Sequence, residues 1–142
     1  MSEIAAAMGK VAPVSVRINP DVDAGTHAKI STGKKGDKFG IPFVRAREVY
    51  ARIAALPGVS AVGIDMHIGS QITDMRPFDN AYALMAQLVR ELRVEGHDIR
   101  HVYVGCVRGI PYHADKDAPP LPAQYAEIVL KHLGGLGAEL VL

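Results

Sequence analysis

VSAVGIDMHIGSQITDMRPFDNAYALMAQLVRELRVEG, residues 59–96, decides the fold. Residues 59–68 are apolar or small nearly throughout, interrupted by Asp65 and His67. Such a run suits a strand covered on both faces, as in a parallel sheet. The period then changes. Phe78, Ala81, Met85, Leu88 and Leu92 recur at three- and four-residue spacing, with Leu84 and Val89 broadening the stripe. That is one face of a helix over 78–94, closed by Gly96. A buried strand followed by an amphipathic helix is half of a βαβ unit and calls for a parallel partner strand reached by a right-handed crossover.

The same alternation extends in both directions. Upstream, 11–18 is rich in Val, alternates around Ser15 and Arg17, and is stopped by Asn19-Pro20-Asp21. A glycine-containing loop runs to Ile41, and loops of that length are usually functional. Pro42 opens an expected helix over 42–56, with Ala46, Val49, Tyr50, Ile53 and Leu56 on one face and Pro57-Gly58 at its end. Downstream, 99–104 reads as a strand and 122–133 as a helix with Tyr125, Ile128, Val129, His132 and Leu136 inward. Gly134-Gly135 is the expected helix stop, and 138–142 begins another strand. The pattern is βαβαβαβ: residues 1–10 are a lead-in, and 11–142 form an α/β domain. Four parallel strands and three helices make about half of a (β/α)8 barrel, which needs roughly 250 residues. A small doubly wound open sheet satisfies the same periodicity.

Composition excludes several classes. Charged residues are 22% of the chain and the net charge is +1, which gives no bias toward nucleic acid or an anionic membrane. No apolar run reaches 18 residues, so no membrane span is expected. The first ten residues lack the basic and apolar regions of a signal peptide. Cys106 is the only cysteine, which rules out an internal disulfide and fits a cytoplasmic setting.

In parallel α/β folds, ligands bind at the C-terminal ends of strands. Three such ends carry polar groups: Asn19, Asp21 and a loop with Lys29, Lys34, Lys35 and Lys38; then His67, Gly69, Ser70 and Gln71; then Gly105, Cys106, Val107, Arg108 and Gly109. A hydroxyl, glycine turns and cations suit a phosphorylated ligand. On the residues alone, His67 is open between ligand contact and a hydrogen-bonded structural role. The lysines are open between a binding loop and a solvated one. No activating partner for Cys106 can be named. His97 and His101 straddle a helix end and a strand start, against a shared metal ion.

The ordered motifs carry a resemblance. Arg17-Ile-Asn-Pro-Asp, Thr26-His-Ala-Lys-Ile-Ser-Thr-Gly-Lys, Lys38-Phe-Gly-Ile, Met66-His-Ile-Gly-Ser-Gln71, Arg108-Gly-Ile-Pro-Tyr112 and Pro119-Pro-Leu-Pro122 together resemble the diaminopimelate decarboxylases. These belong to the alanine-racemase-like enzymes built on an eight-stranded barrel plus a β domain, with pyridoxal 5'-phosphate (PLP) as cofactor. The resemblance covers residues 11–142. It implies that His67 lies against the PLP ring, that Ser70 meets the phosphate, and that Gly105, Cys106 and Val107 fall in the phosphate loop. It implies an amino-acid substrate for the complete protein, decarboxylated while the cofactor acts as an electron sink.

This chain departs from the family pattern in that loop. Asp-x-Gly-Gly-Gly-Leu-Gly-Ile-Pro-Tyr becomes Tyr103-Val-Gly-Cys-Val-Arg-Gly-Ile-Pro-Tyr112. Cys106 and Val107 replace glycines, and a β-branched residue at a positive-φ position is strained. The expectation is weaker phosphate binding, offset in part by Arg108. The resemblance places the Schiff-base lysine before residue 1, and a Glu-Pro-Gly-Arg segment and the β domain after residue 142. The expectation is therefore a chain inactive by itself, which binds PLP or phosphate without turnover or associates with itself or a complementing barrel half.

Overall fold

The computed structural model describes residues 1–22, 39–105, 107–109 and 120–142, with backbone alone at 107 and 108. The expectations for Lys29, Lys34, Lys35, Lys38 and Cys106, and for the side chains of Val107 and Arg108, lie outside what is described.

A short helix α1 (Ser2–Ala7) precedes strand β1 (Ala12–Asn19). A two-residue strand β2 (Ile41–Pro42) leads through a 3₁₀ turn (Phe43–Arg45) into α2 (Ala46–Ala54). Then follow β3 (Val59–Met66), β4 (Ser70–Ile72), α3 (Arg76–Val94), β5 (His101–Tyr103) and β6 (Val107–Arg108). The chain continues with α4 (Pro122–Leu133), a 3₁₀ turn (Gly134–Leu136) and β7 (Glu139–Val141). Five strands form one sheet in the order β2-β1-β3-β5-β7, with every pairing parallel. β4 and β6 form a separate parallel pair.

The βαβα alternation expected from periodicity is present, with two corrections, at Pro42 and at Leu56. Pro42 does not start a helix. It sits in β2, where only Ile18 and Asn19 of β1 are its strand's partners, and at a sheet edge the missing N–H costs no ladder bond. Leu56 leaves the inner helical face and is 46% exposed, because α2 has already ended at Ala54. The helix stop falls where expected, since α4 ends at Leu133 with Gly134 as its cap. A 3₁₀ segment runs on to Leu136, and Gly137 takes the left-handed conformation at φ 60°. The lead-in at residues 1–10 includes the short helix α1. In α1, Ser2 Oγ accepts a hydrogen bond from the Gly58 N–H at 3.1 Å.

The helix-covered face of the sheet is apolar. Ile18, Ile64, Met66 and Val102 pack with Tyr50 of α2, the Phe78 to Leu92 stripe of α3, and Val129 and Leu133 of α4. Tyr50 is fully buried, and its hydroxyl donates to the Gly63 carbonyl at 2.8 Å. On α3 and α4, Phe78 and Tyr125 meet edge to face at 5.2 Å. The Tyr125 hydroxyl donates to the Val104 carbonyl at 3.1 Å and lies 2.6 Å from the Tyr82 hydroxyl. At the opposite end of the sheet, Arg93 donates to the Ile99 carbonyl at 3.0 Å and also to the Leu136 carbonyl.

The other face is polar. Residues in register across parallel strands project to the same side. Ser15, Gly63, His101 and Glu139 form one such row, and Arg17, Asp65, Tyr103 and Val141 form the next. His101 Nδ1 lies 3.3 Å from Glu139 Oε2, so its partner is a carboxylate on the neighbouring strand. A parallel sheet with helices on one face and polar rows on the other suits the wall of an α/β barrel, in which ligands bind at the C-terminal strand ends.

Candidate cofactor site

β3 ends at Met66, and the chain turns at its C-terminal end. His67 and Ile68 follow, Gly69 takes φ 145°, and Gln71 takes φ 59°. Glycine reaches that angle freely, whereas Gln71 holds it at a cost. This double turn starts β4 at Ser70, which pairs with Val107, while Ile72 pairs with Arg108. The Gly109 N–H donates to the Ile72 carbonyl at 2.9 Å. Gly109 sits in a tight place: a Cβ there would stand 3.1 Å from Thr73 Cγ2 and 3.3 Å from the Ile72 oxygen. The segments after β3 and β5 are therefore stitched together beyond the C-terminal edge of the sheet.

Gly105 closes the arrangement. A Cβ at this position would lie 3.8 Å from His67 Cδ2 and 3.9 Å from Asp65 Oδ1. The absent side chain leaves a gap beside the imidazole. His67, Ser70, Gly105 and the backbone of Val107 are thus gathered at two adjacent strand ends.

Val107 corrects one expectation. It lies in β6, paired with Ser70, and has extended strand backbone rather than a positive φ. The steric penalty expected there does not arise. Positive φ on this rim belongs to Gly69 and Gln71 instead.

The electrostatics favour a neutral imidazole. Burial holds the His67 pKa below the ordinary histidine value, Arg17 pushes it further down, and Asp65 pulls the other way. Burial raises the Asp65 carboxyl, against the opposing pull of Arg17 and His67. Arg17 also lies over the Phe39 ring, 5.5 Å from its centroid.

These residues fit PLP. A neutral flat ring beside an empty glycine position can pack on an aromatic cofactor. A hydroxyl and the backbone N–H groups of a turn can hold phosphate oxygens. Asp65 is a member of this region that motif reading passed over. The signal for Asp65 was present, since it alternates with His67 in an otherwise apolar strand. Gln71 was named with its motif, but its left-handed backbone gave no signal in the sequence.

The fold and rim define the class: part of an α/β barrel with a cofactor site at its C-terminal strand ends. The profile of the pyridoxal-dependent decarboxylases, pyridoxal binding domain, matches residues 1–138. The chain belongs to this family, whose cofactor is pyridoxal phosphate. It is similar to the diaminopimelate decarboxylase of Neisseria meningitidis serogroup B, with 46% identity over 142 residues, 100% of this chain and 34% of that protein. It is 43% identical over 133 residues to that of Haemophilus influenzae, covering 94% of this chain and 32% of the relative. The crystal structure of diaminopimelate decarboxylase from Helicobacter pylori complexed with L-lysine superposes with a TM-score of 0.92 at 34% identity, covering 99% of this chain and 35% of that one. The chain spans about a third of the length of these relatives.

Proposed function

We propose that this chain is the part of a diaminopimelate decarboxylase barrel that holds one face of the PLP ring and its phosphate. The supporting observation is the convergence of His67, Ser70 and Gly105, with β4 tied to β6 at the same rim. In this reading His67 packs on the cofactor ring, kept neutral by burial and Arg17. Ser70 donates its hydroxyl to the phosphate, and the missing side chain at Gly105 admits the ring. PLP, when bound, supplies the electron sink for the carbanion left as carbon dioxide departs. The substrate of the complete protein is an amino acid, diaminopimelate by its relatives' names. The single Cys106 supports a cytoplasmic setting.

The 142-residue chain alone is proposed to bind without turnover. Among the described residues the lysines are Lys10 and Lys131. Lys10 precedes β1 at the far end of the sheet, and Lys131 is spent on Asp79 of α3 at 2.7 Å. Neither serves the rim.

The test is a PLP absorbance titration of the wild-type chain, His67→Gln and Ser70→Ala, with borohydride reduction and a carbon dioxide assay alongside. Saturable binding weakened by both substitutions supports the reading. Equal affinity in all three proteins sinks it. Carbon dioxide release from diaminopimelate above the free-PLP background sinks the claim that the chain alone does not turn over.

A further inference from the structure

Asp65 is the only ionisable residue in β3, which reads VSAVGIDM. A carboxylate partly withdrawn from water is costly unless neighbouring groups answer its charge. Its register partner on β1 is Arg17. On its other side it borders the gap at Gly105. A Cβ placed on Gly105 would meet Asp65 Oδ1 at 3.9 Å and His67 Cδ2 at 3.8 Å, so carboxylate and imidazole flank one point. The Met66 backbone also favours the ionised Asp65, and the His67 backbone favours its own protonated ring. Among the described residues, the ionisable groups on this stretch of the polar face are Arg17 from β1, Asp65 and His67 from β3 and its continuation, and Tyr103 from β5.

We propose that Asp65 is a positioning residue: placed between Arg17 and His67, it fixes the imidazole beside the gap at Gly105, in the orientation that faces the cofactor. Arg17 sets where the carboxylate lies, and the carboxylate sets the ring. A negative group attracts the N–H edge of an imidazole and selects its tautomer and tilt. Asparagine, of the same shape, supplies no such charge. The role toward the cofactor rests on the PLP reading above, but the placement of His67 is measurable without PLP.

The experiment uses the chain with isotope-labelled histidine, free of PLP, with His67 assigned by loss of its signal in His67→Gln. The wild-type ring is expected to show a nuclear Overhauser contact from His67 Hδ2 to Gly105 Hα. Asp65→Asn should lose that contact and titrate His67 at lower pH, because a group that favours the imidazolium has gone. Arg17→Met should move the midpoint up. Asp65→Glu should restore part of the contact, and His132 should not respond. A merely structural Asp65 would move all amide signals together and leave the His67 midpoint where it was. An unchanged contact and midpoint in Asp65→Asn overturns the proposal. Should Asp65→Asn fail to fold, Asp65→Glu and Arg17→Met carry the same two readouts. PLP titration of the same proteins separates the two readings: no binding by the wild type sinks the cofactor assignment, while the ring contact still judges the positioning role.

Discussion

A Cβ on Gly63 would lie 2.3 Å from Ser15 Oγ, with the His101 carbonyl oxygen at 3.1 Å beyond it. β1 and β3 approach this closely just past the register shift between Val14 and Ser15. The polar face can therefore carry a serine here only because its neighbour has no side chain.

Gly63→Ala is expected to destabilise the chain by about 1–2 kcal/mol, in the range of an overpacking substitution. Ser15→Ala removes the nearest clashing atom, so the double variant should be less destabilised than the sum of the two single changes, with a coupling of about 0.5 kcal/mol or more. Urea unfolding of the four proteins measures this. Strict additivity would mean that the strands move apart at no cost and that the contact does not set their spacing.

Asp79 on α3 answers both Lys131 at 2.7 Å and His132 at 2.8 Å on α4. The Lys131 hydrogen bond, followed by that of His132, holds the Asp79 carboxyl below the usual aspartate value. The unfolded chain then binds more protons than the folded one at acidic pH. The contribution is present above the unfolded value, about pH 3.9, and is lost as pH falls through the lower folded value. Asp79→Asn should be less stable than wild type at neutral pH, with the difference shrinking toward about pH 2. Denaturant midpoints measured across that range check it, and a difference that grows on acidification has the wrong sign.

Much of this was legible because burial and period agree. The stripe Phe78, Ala81, Met85, Leu88 and Leu92 is buried as its spacing requires, and 122–133 is helical as read. Ile41–Pro42 was misread because proline signals a helix start and an edge strand equally well, and only the pairing with Ile18 and Asn19 chooses. β4 and β6 were illegible for a related reason. Strands of three and two residues have no period, and they exist by bonding to each other across two loops. His67 and Ser70 stood out through motif, whereas the approach of His67 to Gly105 and the pairing of Ser70 with Val107 depend on register and could not be read along the chain.

The described sheet has edges at β2 and β7. Beside β7, an apolar groove is lined by Tyr125, Val129, Leu130, Leu140 and Leu142, and Leu130 and Leu142 are 62% and 85% exposed. Unpaired strand edges beside apolar surface favour association. We expect the 142-residue chain in isolation to scatter light as a dimer or larger species and to bind an apolar dye. Leu130→Lys should shift the population toward monomer. A monodisperse monomer without dye binding would show that the edges are protected in this chain and would remove the case for a complementing barrel half.

Val107 offers a test of the segment proposed to hold phosphate. If the family's glycine were needed at this position for a left-handed backbone, restoring it would relieve strain of about 1–3 kcal/mol and tighten phosphate binding. Val107 instead lies in β6 opposite Ser70, in backbone that branched residues favour. Glycine there weakens a two-residue strand by adding unfolded-state freedom. Because β4 holds Ser70 through that pairing, a looser β6 loosens the hydroxyl assigned to the phosphate. Val107→Gly alone is therefore expected to leave PLP and inorganic phosphate affinity unchanged or lower. Arg108→Leu should cost roughly tenfold or more if its guanidinium makes a charge-assisted hydrogen bond worth about 1.5–3 kcal/mol. Isothermal titration of the two single variants and their combination reads both effects. Tighter binding in Val107→Gly, with no loss in Arg108→Leu, would mean that side-chain bulk limits the loop and that the β4–β6 pairing does not hold the phosphate site.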